Sequence, residues 1–178
     1  GFVVEARAGH WCAAMAAIAS ETYTSVSAPV QFAAIEAFRG GPGIERYLHL
    51  CRSILGVLGR LGATTLRQAG CSLPRVDGGF YLFPEFGAAA ERLGGRGVVD
   101  SSTLAEQLLQ DTGVATLPGS VFGRPSRELT LRLSYVNFDG ASALAAAEAG
   151  ETIDEAFVRR YCPDTVEAIE RIATWVTG

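Results

Sequence analysis

Lysine is absent from this chain: all 15 of its basic residues are arginines. That excludes a Walker A phosphate loop, whose lysine reaches the terminal phosphates of a nucleotide. It also excludes a Schiff base between this chain and an aldehyde cofactor, which needs a side-chain amine. A surplus of positive charge is missing too. The net charge of −4 leaves no basic stripe for a phosphate backbone, so nucleic acid is excluded as a partner. Cysteine is sparse and scattered as Cys12, Cys51, Cys71 and Cys162, with no C-x-x-C pair and with His10 and His49 standing outside any ligand cluster. No zinc pattern results, and the four read as reduced, buried thiols of a cytoplasmic protein. Long hydrophobic runs are lacking as well. The stretch from Cys12 to Ala19 is too short to span a bilayer, and Glu5, Arg7 and His10 interrupt what precedes it, which argues against a membrane anchor and a secretory leader.

What is present is apolar. Hydrophobic residues make up 48% of the 178, and the mean hydropathy is +0.21. This suits one domain with apolar surface that faces a neighbouring domain. Residues 29–39 read as a helix stopped by Gly40 and Gly41. A longer helix starts at Pro42, carries Ile44, Tyr47, Leu48, Cys51, Leu55 and Leu58 on one face, and is expected to stop at Gly62. Residues 64–68 are β-prone, and residues 79–84 (GFYLFP) suit a strand covered on both faces. A helix is expected over 101–112, with Thr103 and Glu106 at capping-box spacing and Gly113 as its end. A short strand over 114–117 breaks at Pro118 and Gly119.

The clearest alternation follows. Leu129, Leu131, Leu133 and Tyr135 point one way, and Thr130, Arg132 and Ser134 the other. The remainder is helical, with Asp139 and Asp154 as N-cap candidates. Pro163 suits the first turn of a last helix whose apolar positions include Val166, Ile169, Ala173 and Val176. The expected fold is α+β, a small, mostly antiparallel sheet with helices packed on one face.

Four segments in this order resemble the C-terminal third of class I/II, fold-type-I aminotransferases, which depend on pyridoxal phosphate. They are residues 21–31 (ETYTSVSAPVQ), 78–84 (GGFYLFP), 113–123 (GVATLPGSVFG) and 131–135 (LRLSY). The resemblance covers about residues 13–137. It implies the family's small domain, with residues 1–28 left from the boundary with a larger domain and 29–178 forming the C-terminal domain. The opening Gly1, in place of Met, reads as a cut edge.

By motif, Arg132 matches the family's arginine for the substrate α-carboxylate. A guanidinium fork suits that group, and lysine would replace it poorly. The alternative is a solvated arginine or one in a structural salt bridge. Phe80 is implied near the substrate, although a plain core strand is the alternative for its segment. Thr24 and Ser25 are implied as contacts to cofactor phosphate across a dimer, against a capping or loop role for both. Ser120 fits a turn, since Pro118 breaks the G-x-S-x-G elbow.

The resemblance implies amino-group transfer between an amino acid and a 2-oxo acid. This chain would contribute carboxylate binding and cleft closure, and would be inactive alone because the Schiff-base lysine is absent. It is expected to self-associate through an exposed docking face and to bind no cofactor by itself. Other readings are a sister fold-type-I enzyme, such as an aminocyclopropane-carboxylate synthase, or a non-catalytic α+β binding or structural domain. A small hydrolase lacks an identifiable nucleophile and base.

Overall fold

The structure is a computed structural model that describes residues 9–22 and 25–178, with side chains from Cys12 onward. It divides into two units, Gly1–Glu45 and Arg46–Gly178. Thr24, implied as a phosphate contact, lies outside the described residues.

The first unit holds α1 (Gly9–Thr22) and α2 (Ala28–Arg39). Pro29 stands in the first turn of α2, where a missing N–H breaks no helical bond, and Gly40 follows its end at φ 70°. Val30, Phe32 and Ile35 of α2 are exposed.

Helix α3 (Pro42–Gln68) buries Ile54, Leu58, Gly59, Gly62, Ala63 and Leu66, steps of three and four that make one stripe. It runs through Gly62, which the sequence suggested as a stop. The glycines serve close approach instead. A β-carbon on Gly59 would stand 2.8 Å from the Tyr135 hydroxyl, and one on Gly62 would stand 2.8 Å from Ile169 Cδ1. Residues 64–68 are helical rather than β, because burying Leu66 outweighs the weak strand preference of Thr64 and Thr65. The helix closes at Gly70, φ 94°. There the Cys71 N–H donates to Leu66 O and the Gly70 N–H to Arg67 O, a Schellman closure.

Strands β1 (Tyr81–Leu82), β2 (Leu117–Pro118) and β3 (Leu131–Ser134) form an antiparallel sheet in the order β1-β3-β2. Tyr81 pairs with Ser134 and Leu117 with Arg132. The expectation of a strand covered on both faces over 79–84 is corrected. Leu82 and Pro84 are buried, while Phe80 and Tyr81 are exposed and Phe83 is half-buried. The alternation holds from Leu131 onward, with Leu131, Leu133 and Tyr135 buried, Arg132 half-buried and Ser134 exposed, but Thr130, expected on the polar face, is buried against the turn at Gly119.

Helices pack on the leucine face. Helix α5 (Ser101–Thr112) is capped three residues upstream of the expected box, which corrects the Thr103–Glu106 pairing. The Asp100 carboxylate accepts from Thr103 N–H at 2.8 Å, and the Thr103 hydroxyl accepts from Asp100 N–H. Donation from the Thr103 N–H, and from its hydroxyl, to the carboxylate holds the Asp100 carboxyl below its ordinary range. Gly113 ends the helix in the left-handed region. Asp139 caps α6 (Gly140–Glu148), Asp154 caps α7 (Glu155–Tyr161), and Pro163 opens α8 (Pro163–Thr177), as expected. Leu58, Leu66, Leu82, Leu104, Leu131, Phe157 and Ile172 meet in one core. The α+β expectation, a small antiparallel sheet with helices, is borne out. Of the thiols, Cys71 and Cys162 are buried, but Cys12 is exposed and Cys51 half-buried, which corrects the expectation for those two. Among the described residues no helix is long and apolar enough to cross a membrane.

Candidate carboxylate-binding site

The face of β3 opposite the leucines carries the candidate site. Alternation lifts Arg132 out of the sheet on that face. Its cross-strand partner Leu117 offers no charge. The guanidinium carbon sits 4.4 Å from the Tyr81 ring centroid and 4.2 Å from that of Phe122. Tyr81 belongs to β1, and Phe122 follows β2, so the rings reach Arg132 from opposite flanks of the central strand. Phe83 meets Phe122 edge to face, with centroids 6.1 Å apart. Among the described residues the Arg132 guanidinium has neither an ion pair nor a hydrogen bond. The structural salt-bridge alternative therefore has no support. A half-buried cation with its donors open can take a carboxylate bidentately.

Phe122 is placed by a 3₁₀ turn, Gly119–Phe122, which Gly123 closes at φ 80°. Gly119 N–H donates to Thr130 O at 2.8 Å, tying the turn to the strand that carries Arg132. Ser120 N–H donates to Ser101 Oγ at 3.3 Å, so Ser120 is a turn residue anchored to the start of α5. The Thr116 and Thr130 hydroxyls are buried without a hydrogen-bond partner.

Phe80 lies beside this arrangement, its ring centroid 4.4 Å from that of Tyr81 and its carbonyl accepting from Tyr135 N–H. It packs on one of the two clasping rings rather than over the guanidinium. Ser25 is an exposed residue just before α2, in the first unit. Tyr81 and Phe122 lie within the 78–84 and 113–123 motifs, but nothing in the sequence pattern sets either apart from its neighbours.

A cleft of about 660 Å³ lies elsewhere in the second unit. It runs between Gly113–Ala115, the end of β3 and the first turns of α8, and Arg132 does not line it. Its Arg171 is paired with Glu167 at 2.6 Å and donates to Thr112 O. We place the candidate site at Arg132, because the charge there is uncommitted, whereas the cation in the cleft is already engaged by Glu167 and Thr112. Among the described residues no group of three or more His, Cys, Asp or Glu could hold a metal ion.

The chain as a whole also matches known proteins. The profile of aminotransferase class I and II matches residues 1–149, and the chain belongs to that family. A probable aspartate/prephenate aminotransferase of Aquifex aeolicus is 33% identical over 122 residues, 68% of this chain and 29% of that protein. An aspartate aminotransferase of Bacillus sp. (strain YM-2) is 34% identical over 124 residues, again 68% of this chain and 29% of the other. Two solved structures share the fold. An aromatic aminotransferase from Pyrococcus horikoshii aligns with TM-score 0.58 and 22% identity, covering 82% of this chain and 30% of its own. An aspartate aminotransferase from Thermotoga maritima aligns with TM-score 0.57 and 20% identity, covering 93% and 33%. The chain thus spans under a third of the length of the curated relatives.

Proposed function

We propose that this chain is the substrate-gripping small domain of a pyridoxal-phosphate-dependent aminotransferase that moves an amino group between an amino acid and a 2-oxo acid. The observation that carries this is the uncommitted guanidinium of Arg132 on the face of β3 opposite the leucines.

Pyridoxal phosphate acts as an electron sink for amino-group transfer. The residues present do not fit that group, because no lysine exists to anchor it. At most, Thr24 and Ser25 would add a phosphate contact across a dimer. No step through the cofactor is therefore assigned to these residues. Their own contribution is binding and orientation. Arg132 fixes the α-carboxylate at two oxygens, which sets the direction of the Cα–H bond, a positioning effect. Movement of this lobe towards the rest of the protein would close the cleft and exclude water. Phe80, at the edge of the clasp, stands as the candidate apolar contact to substrate.

The test is Arg132→Ala in the protein that carries this chain. Loss of a bidentate, charge-assisted contact is expected to lower kcat/KM about 100-fold for carboxylate-bearing substrates. Arg132→Lys is expected to recover only part of that. An amine substrate without a carboxylate serves as control and should be indifferent. Equal effects on both substrates would sink the assignment.

The same reading has the chain self-associate through apolar surface such as Val30, Phe32 and Ile35 on α2. Sedimentation velocity should show concentration-dependent larger species that Phe32→Glu abolishes. A monomer at all concentrations would contradict it.

A further inference from the structure

We propose that Tyr81 and Phe122 are positioning residues, a pair of rings that holds the Arg132 guanidinium ready for an incoming carboxylate. The inference rests on the assignment of Arg132 as the carboxylate anchor.

An arginine side chain has four rotatable bonds and loses much conformational freedom when it grips a ligand. An anchor that is loose before binding must be ordered by the substrate, which weakens affinity. In most proteins a carboxylate of the same chain would order such an arginine. A carboxylate here would compete with the substrate for the same donors. Aromatic rings avoid that conflict, because they attract the cation through their faces and accept none of its in-plane N–H bonds.

The geometry provides this arrangement. Rings stand over the guanidinium carbon at 4.4 and 4.2 Å, one from the β1 side and one from beyond β2. With both flanks occupied, the open direction for the N–H donors is outward, away from the sheet. Each ring has support of its own. Phe80 packs on Tyr81, and Phe83 meets Phe122 edge on. Both rings remain partly open, Tyr81 at 44% and Phe122 at 41%, so neither is a core residue whose loss would unfold the chain.

The experiment uses Tyr81→Leu, Phe122→Leu and the double variant, with Tyr81→Phe and Phe122→Tyr as conservative partners. The first readout is the KM and kcat of the protein that carries this chain, with a 2-oxo acid substrate. Each leucine variant is expected to raise KM about 3- to 10-fold with a smaller effect on kcat, and the double variant about 10- to 100-fold. The ring-retaining variants should stay within about twofold of the parent. The second readout is independent of turnover. In ¹⁵N spectra the Arg132 Nε–H signal, identified by its loss in Arg132→Lys, should carry a ring-current shift that disappears in the double leucine variant.

Three results would overturn the proposal. Leucine variants with unchanged KM would show that the rings do not position the anchor. A loss in Tyr81→Phe equal to that in Tyr81→Leu would assign the effect to the hydroxyl. An Arg132→Ala variant with undiminished carboxylate binding would remove the anchor itself, and the clasp would fall with it. If Arg132→Ala fails to bind while the leucine variants bind normally, only the clasp is refuted.

Discussion

Replacing Gly119 with alanine would show how firmly Phe122 is held over Arg132. A β-carbon at position 119 would lie 2.9 Å from Thr130 Cβ and 3.1 Å from the Thr130 carbonyl oxygen, and would collide with the Thr130 hydroxyl. Carbon atoms rest at about 3.5–4.0 Å, so the turn must withdraw by about 0.5–1 Å. The strand offers little room, because Thr130 is buried and bridges to Glu85 on its other side. Withdrawal also stretches the Gly119 N–H bond to Thr130 O, 2.8 Å in the parent. Overpacking of this kind costs about 1–3 kcal/mol, and a weakened hydrogen bond about 1 kcal/mol more. The sum, about 2–4 kcal/mol, is a large part of a typical stability of about 5–15 kcal/mol.

Urea denaturation followed by circular dichroism measures this. With an m-value of about 2 kcal/mol/M, the midpoint should fall by about 1–2 M at unchanged slope. The partner substitution Thr130→Ala removes the colliding hydroxyl, so the double variant should recover about 1 kcal/mol relative to additivity. A Gly119→Ala protein within about 0.5 kcal/mol of the parent would refute the reasoning, since that is the scatter of an unremarkable surface change. Strict additivity with Thr130→Ala would do the same.

Two further outcomes follow from the structure. Asp100→Ala removes the cap of α5 and should cost about 1 kcal/mol, read by the same urea titration. Because the Asp100 carboxyl is held low, its contribution is present above its unfolded pKa and disappears as pH falls through the folded value, so parent and variant should converge in acid. Burial pushes the Cys71 and Cys162 thiols up to about 11 from 9.0, so the unfolded chain releases protons first as pH rises. Stability should therefore fall between pH 9 and 11 by about 1.4 kcal/mol per pH unit per thiol, and Cys71→Ala with Cys162→Ala should flatten that slope.

Much of the fold was legible because local rules and tertiary packing agree there. Strand β3 alternates in sequence and in burial. Asp139, Asp154, Pro163 and Gly113 each act where their chemistry suggests. Gly62 misled because one residue type serves two purposes. It ends helices by accepting positive φ, and it admits close neighbours by lacking a β-carbon. Only the presence of Ile169 and Leu82 across the interface decides between them. The same holds for residues 64–68, whose threonines lean towards strand while buried Leu66 keeps the helix going. At the site, alternation made Arg132 visible. Its clasp was not, because Tyr81 becomes its neighbour only once β1 and β3 pair in this register, and Phe122 only once the 3₁₀ turn folds back.

The groups whose proton affinity the fold shifts clearly have structural explanations. Asp100 and Asp139 are held low by capping helices, and Cys71, Cys162 and Tyr135 are raised by burial. Arginine keeps its charge across the working range of proteins. A grip built on Arg132 between two rings should therefore hold a carboxylate equally well at pH 6 and pH 9. On the proposed reading, any pH dependence of turnover in the protein that carries this chain comes from its proton-moving groups rather than from the Arg132 contact. A carboxylate affinity that tracked a titration near neutrality, and lost that dependence in Arg132→Ala, would break this division of labour.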